Sequence, residues 1–305
     1  MTGIVFTDEA AHHYAQAIRN VAPDIPLWSL DDAKAPDADV AISWLPPHGA
    51  YGALPKLRLI HSIGAGVNHI IAETSDAHVP VCRIVDPEQA RIMAQYVLWG
   101  VLHFHRGFDR LMRAQQEQRW LKFEHPSAGR TTVGIMGMGV MGQTVASAIA
   151  RLGFDVRGWS RTGRELGGIR IHGEDELDRF LDGLDMLICL LPLTDATQGI
   201  LSTNLFSRMN RGARLIHVGR GDHLVTRDLH AALDEGQLGG ALIDVFPLEP
   251  LPSTDPLWTR DKVILTPHIA AISSSETVAT QILWNVRSLR AGARLNNVIE
   301  RARGY

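Results

Sequence analysis

Cysteine is nearly missing from this 305-residue chain: only Cys82 and Cys189 occur, each inside an apolar run (VPVCRIV and LICLLP). Two thiols placed this way form no disulfide framework or thiolate metal site and read as buried, free groups of a reducing compartment. A basic excess is missing as well. With 30 Lys and Arg against 33 Asp and Glu, the chain lacks the charge that a nucleic-acid-binding face demands. No apolar run is long enough to span a bilayer; the most hydrophobic helix candidate, Ile92 to Phe104, is interrupted by Gln95 and His103. The start MTGIVFTDEA has neither the basic beginning nor the apolar stretch of a signal peptide, so the expected location is cytoplasmic. Repeats and low-complexity segments are lacking too. What is present, 45% hydrophobic and 21% charged, is ordinary globular composition, and the length favours two domains over one.

Short β-rich runs alternate with helix-like stretches almost throughout, the pattern of parallel α/β domains. A first group comprises GIVF (3–6), VAISWL (40–45), LRLIHSIG (57–64) and VPVCRIV (79–85), with an amphipathic stretch near 9–21. A long helical pattern is expected from about Glu88 to Trp120, where Met93, Val97, Leu98 and Leu102 recur at 3–4 spacing. The second group runs from TTVGIMG (131–137) through DVRGWS (155–160), IRIHG (169–173), MLICLLP (186–192), ARLIHVG (213–219) and GALIDVF (240–246) to VILTPHI (263–269). These strands show little polar alternation, as in sheets covered by helices on both faces. A final helix is expected over 274–291. Domain boundaries fall near 95 and 275.

Gly137-Met138-Gly139-Val140-Met141-Gly142 follows a strand-like run and precedes a helical stripe of Met141, Val145, Ile149 and Leu152. In that setting a GxGxxG turn is a dinucleotide site. The first glycine allows the tight turn, the second lets a pyrophosphate approach, and the third lets helix pack on strand. The helix N-terminus supplies N–H groups and a favourable dipole. A purely packing role for the glycines is the weaker alternative. Selectivity for NAD normally puts an acidic residue about 20 positions on, yet the sequence there reads Trp159-Ser160-Arg161-Thr162. Arg161 can pair with a 2′-phosphate while Ser160 and Thr162 donate hydrogen bonds, so NADP(H) is expected over NAD(H). Arg164 reads as a solvated loop arginine.

Three polar residues stand at strand exits. Arg220, between two glycines that leave room for close approach, offers a planar pair of donors matched to a carboxylate. Glu249 sits between Leu248 and Pro250, where a turn carboxylate is the plain alternative. His268 is one of 14 histidines and taken alone reads as structural. Successive strands of a parallel sheet end on the same edge, where such sheets bind ligands. That shared edge makes the three one constellation: an anion clamp, a histidine partner and a proton donor.

With these residues in view, the chain resembles the D-isomer-specific 2-hydroxyacid dehydrogenase family, within it the bacterial glyoxylate/hydroxypyruvate reductase A type. The likeness spans essentially the whole chain through SIGAGV (62–67), the glycine turn, LPLTDAT (191–197), HVGRGDHL (217–224), DVFPLEPLP (244–252), TPHIAA (266–271) and the terminal RARGY. The family's catalytic arginine, glutamate and histidine correspond to Arg220, Glu249 and His268 without departure. The resemblance implies two doubly wound parallel-sheet domains. A flavodoxin-like substrate domain would take 1–95 and 275–305, and a Rossmann-type dinucleotide-binding domain 96–274. It implies cofactor contacts at Gly137, Gly139, Val140, Met141, Gly142, Ser160, Arg161, Thr162, Leu191, Pro192, Thr197, Val218, Gly219, Arg220, Asp244, His268 and Ala270. Substrate contacts would come from the backbone of Gly64, Ala65 and Gly66 and from Trp44, Arg220 and His268, with ordinary core packing as the competing reading for Trp44. No metal is implied.

The expected reaction is reduction of a small 2-ketoacid to the D-2-hydroxy acid in a cleft that closes over the reactants. Arg220 would hold the carboxylate, His268 give the proton, and Glu249 orient the imidazole and favour its protonated form. A homodimer is expected from the family, with Met93 and Trp99 as packing residues of the linking helix. Two readings compete. One is an NAD-linked dehydrogenase acting on a larger hydroxy acid, opposed by the missing acidic residue near 160. The other is a non-catalytic dinucleotide sensor, opposed by the intact set of three reactive residues and the lack of long appended tails.

Overall fold

A computed structural model describes residues 2–74 and 78–300. The terminal RARGY of the sequence comparison lies outside the described residues. The chain forms two compact units, Met1–Pro87 with Ile272–Tyr305 and Glu88–Ala271, where the sequence reading sets its divisions at 95 and 275. The reason for the early division is burial. The helix Pro87–His105 sinks Met93, Val97, Val101 and Phe104 into the core of the second unit, so the helix from Glu88 onward goes with it.

The first unit holds β1 (Gly3–Phe6), β2 (Leu27–Ser29), β3 (Ala38–Ser43), β4 (Leu59–Ser62) and β5 (Val81–Cys82), all parallel in the order β2-β1-β3-β4-β5. Every residue of β1, β3 and β4 is buried, which requires cover on both faces. Alternation along the strands sends Ile4, Ile42 and Leu59 against Val278, Ile282 and Val286 of the helix Ser275–Arg290. Val5, Ala41 and Ile60 face Tyr51, Leu54 and Ile70 on the other side. Arg290 pairs at 3.0 Å with the buried Asp39, a charge that would be costly without its partner.

The second unit holds β6 (Thr132–Met136), β7 (Asp155–Trp159), β8 (Arg164–Leu166), β9 (Ile169–His172), β10 (Met186–Cys189), β11 (Ala213–His217), β12 (Leu238–Ile243) and β13 (Val263–Leu265). Their order is β13-β12-β11-β10-β6-β7-β9-β8. From β6 the chain builds outward through β7, then returns to the far side at β10. The strand order therefore reverses between β6 and β10, and a crevice opens at their carboxyl ends.

Four local readings are corrected. The helix expected over 88–120 is two, Pro87–His105 and Phe108–Gln116, because Gly107 turns the chain at φ 63°. Its 3–4 periodicity continues across the break and so conceals it. Leu152 lies beyond the helix Val140–Ala150 and is exposed. The 79–85 run yields only the two-residue β5. The antiparallel edge strand β8 was missed, so Arg164 lies on a strand rather than in a loop. It pairs with β9 through Gly167 and Gly168, both at positive φ, a two-residue hairpin signal present in the sequence. Among the described residues no helix is long and apolar enough to cross a membrane.

Candidate active site

The glycine turn opens at the point where the strand order reverses. Gly137 follows β6 at φ 101°, and a Cβ there would lie 2.6 Å from the Leu190 carbonyl at the exit of β10. Its N–H donates to the Trp159 carbonyl, tying the turn to β7. At Gly142 a Cβ would meet the Gly137 carbonyl oxygen at 1.9 Å, so glycine is required for the helix to start this close to the strand. Gly139 differs: a Cβ there would meet nothing within 4 Å. It would project into an open cradle above the N-terminus of Val140–Ala150, the room that a pyrophosphate needs. Val140 is exposed beside it, and Met141 is partly buried.

At the β7 exit, Arg161 and Thr162 are exposed and no carboxylate stands among residues 159–162. The Ser160 hydroxyl donates to the Thr162 carbonyl at 2.8 Å, so its first task is to shape the turn. Along LPLTDAT, Thr197 does the same: its hydroxyl donates to Pro192 O and accepts from Thr194 N, each at 2.8 Å. The residues present fit a dinucleotide with phosphates at Gly139 and an adenosine ribose near Arg161.

β11, β12 and β13 lie side by side, and their exits deliver the three reactive side chains. His268 Nδ1 lies 2.7 Å from Glu249 Oε2, while Glu249 Oε1 accepts from Phe246 N at 2.9 Å. Burial raises the Glu249 carboxyl, but these two hydrogen bonds and the charges of His268 and Arg220 outweigh it and hold it below its ordinary value. The Arg220 guanidinium donates to Gly219 O at 2.6 Å. Its Nε is buried with no hydrogen-bond partner among the described residues, an orphan donor of the kind that an anionic ligand satisfies. Burial lowers the guanidinium from its ordinary value and the Glu249 carboxylate opposes that shift.

His268 occupies the left-handed region at φ 55°, which non-glycine residues adopt only when their surroundings impose it. The surroundings are Asp244. Its Oδ1 accepts from Ile269 N at 2.9 Å and from Thr266 Oγ1 at 2.6 Å, and its Oδ2 accepts from Ala270 N at 2.9 Å. The backbone N–H of His268 donates to the Asp244 carbonyl. Tyr96 OH meets Thr266 Oγ1 at 2.5 Å. Asp244 and Ala270, expected at the cofactor, are buried in this anchor, and the carboxylate turns its oxygens to the chain. Val218 is buried and Gly219 lies against His223. Gly221 makes room for protein rather than ligand, since a Cβ there would lie 1.9 Å from the Phe246 carbonyl carbon. The anchoring roles of Tyr96 and Thr266 carried no spacing signal; they depend on which elements meet.

In the first unit, the Trp44 ring lies across Gly64, where a Cβ would meet it at 2.4 Å, and packs edgewise on His69 at 4.6 Å. Gly64 N donates to Ser62 Oγ at 3.1 Å and so is spent inside the loop. Among the described residues the N–H groups of Ala65 and Gly66 meet no acceptor. Both cysteines are buried free thiols.

The family model described as "D-isomer specific 2-hydroxyacid dehydrogenase, NAD binding domain" matches residues 98–270. Glyoxylate/hydroxypyruvate reductase A of Serratia proteamaculans is 40% identical over 288 residues, covering 92% of this chain and 91% of its own. A D-isomer specific 2-hydroxyacid dehydrogenase family protein from Klebsiella pneumoniae superposes with TM-score 0.94 at 40% identity, over 99% of this chain and 98% of its own. The NADPH-dependent glyoxylate/hydroxypyruvate reductase from Sinorhizobium meliloti, solved with NADP and sulfate, superposes with TM-score 0.90 at 31% identity over 100% of both chains.

Proposed function

The chain belongs to the D-isomer specific 2-hydroxyacid dehydrogenase family, and on that premise we propose that it reduces a small 2-ketoacid of the glyoxylate or hydroxypyruvate type to the D-2-hydroxy acid with NADPH. The observation that carries this reading is the orphan Nε of Arg220 near the Glu249–His268 pair: an anion acceptor and a proton donor on one sheet edge.

When bound, NADPH supplies hydride to the carbonyl carbon. Gly139 would leave room for its pyrophosphate above the N-terminus of Val140–Ala150, the turn being shaped by Gly137 and Gly142, and Arg161 would pair with the 2′-phosphate that an acidic residue would repel. Arg220 binds the substrate carboxylate and polarises the keto oxygen. His268 passes a proton from Nε2 to that oxygen, while Glu249 fixes the ring through Nδ1 and stabilises the imidazolium before transfer. The working form is a homodimer in the cytoplasm.

NADPH oxidation measured across 2-ketoacids of graded size tests this directly. Glyoxylate and hydroxypyruvate should be reduced faster than phenylpyruvate, and kcat/KM with NADPH should exceed that with NADH. Arg161→Ala should weaken NADPH about tenfold and leave NADH unchanged. Equal or better kcat/KM with NADH would overturn the cofactor assignment, and no turnover with any 2-ketoacid would overturn the activity.

A further inference from the structure

Two buried histidines grip the backbone of Arg220 from both of its polar groups. Arg220 N donates to His223 Nδ1 at 3.0 Å, and Arg220 O lies 2.9 Å from His217 Nε2. The contacts define both tautomers. His223 Nδ1 accepts, so its proton sits on Nε2, which donates to Pro192 O at 3.2 Å. His217 Nε2 faces a carbonyl, so it carries the proton and donates. Both rings are fully buried, and burial pushes His223 below its ordinary value and His217 down to about 3, so both are neutral.

The local sequence explains why a grip is needed. Gly221 is demanded by the approach of the Phe246–Pro247 backbone, and Gly219 by His223 itself, whose Nδ1 would lie 2.9 Å from a Cβ there. Two glycines around Arg220 free its peptide to rotate, and a wandering peptide would carry the guanidinium off the substrate. Cys189 lies within 4.8 Å of both imidazoles, giving a trio of metal-ligand types. The chemistry opposes an ion: burial pushes the thiol up to about 12, and three of the four imidazole nitrogens already serve backbone groups.

We propose that His217 and His223 are positioning residues for the reduction, a two-sided brace that sets the Arg220 backbone and couples it through Pro192 to the 191–197 loop. This rests on the proposed role of Arg220, and the two can fail separately. If wild type reduces no 2-ketoacid, or if Arg220→Ala matches wild type, the underlying reading falls before any histidine variant is made.

The test is the steady-state kinetics of glyoxylate reduction by the full chain, with NADPH affinity measured by fluorescence titration. His217→Leu and His223→Leu should each lower kcat/KM for glyoxylate about tenfold or more, with NADPH affinity within about twofold of wild type. In an Arg220→Ala background they should add nothing. The amide replacements must rank in opposite orders at the two sites. At 223, asparagine keeps an acceptor where Nδ1 stood and should outperform glutamine. At 217, glutamine keeps a donor where Nε2 stood and should outperform asparagine. If the leucine variants do not fold, this ranking alone decides. Losses that multiply with Arg220→Ala, or the same amide order at both positions, would overturn the brace.

Discussion

At the scale of single residues, the site is organised by who holds whom. His268 stands in a strained backbone conformation because Asp244 binds the turn around it, and Glu249 then fixes the ring. His268→Ala should slow ketoacid reduction by at least about a hundredfold while NADPH still binds, measured as kcat at saturating substrate. Glu249 is held below its ordinary value and keeps its carboxylate on the ring, so Glu249→Gln, which leaves only a neutral partner for His268, should lower kcat while NADPH affinity holds. A kcat equal to wild type would separate the pair. Arg220, Glu249 and His268 were legible in the sequence because each ends an apolar run. The gripping histidines were not, since nothing in the spacing of His217 and His223 says that both imidazoles turn back on Arg220.

At the scale of elements, the glycine turn divides into positions required by the fold and one left open. Gly142→Ala would drive a Cβ into the Gly137 carbonyl, and moving helix from strand should cost about 2 kcal/mol or more, read as a drop in Tm. Gly139→Ala meets no protein atom, so Tm should hold while the KM for NADPH rises. A fall in Tm at Gly139 comparable to that at Gly142 would contradict the open cradle. The same scale shows where periodicity misleads. The 3–4 apolar pattern across 88–120 continues through Gly107 in the sequence, although Phe108 and Met112 of the second helix are exposed, and only the backbone at φ 63° separates the two helices. The edge strand Arg164–Leu166 is short and mostly exposed, so it has no apolar signature beyond its Gly-Gly turn.

For the whole molecule, each compact unit contains a histidine buried in its neutral form. His61 donates to Ser62 O, accepts from Asn285 and is pushed by burial down to about 4; His217 is pushed down to about 3. Both start from an ordinary value of 6.5. Below that value the unfolded chain binds protons that the folded chain refuses, so unfolding gains and stability falls as pH drops. Each group costs up to about 1.4 kcal/mol per pH unit over this window. The Tm should fall steadily from pH 6.5 toward 4, with the decline reduced in His61→Gln provided that variant folds; a flat Tm across the window would show that neither ring is held neutral. The sequence by itself determined the parallel α/β class, the glycine turn, the missing acidic residue beside Arg161 and the three polar strand exits. Those features are local, set by periodicity, turn chemistry and charge along the chain. Only the tertiary structure decided that β11, β12 and β13 are neighbours, that Asp244 serves the protein, and that His217 and His223, each three residues from Arg220, turn their rings back on its peptide. These depend on strand order, on which loops touch and on the local path of the backbone after β11, which hydrophobic pattern does not encode.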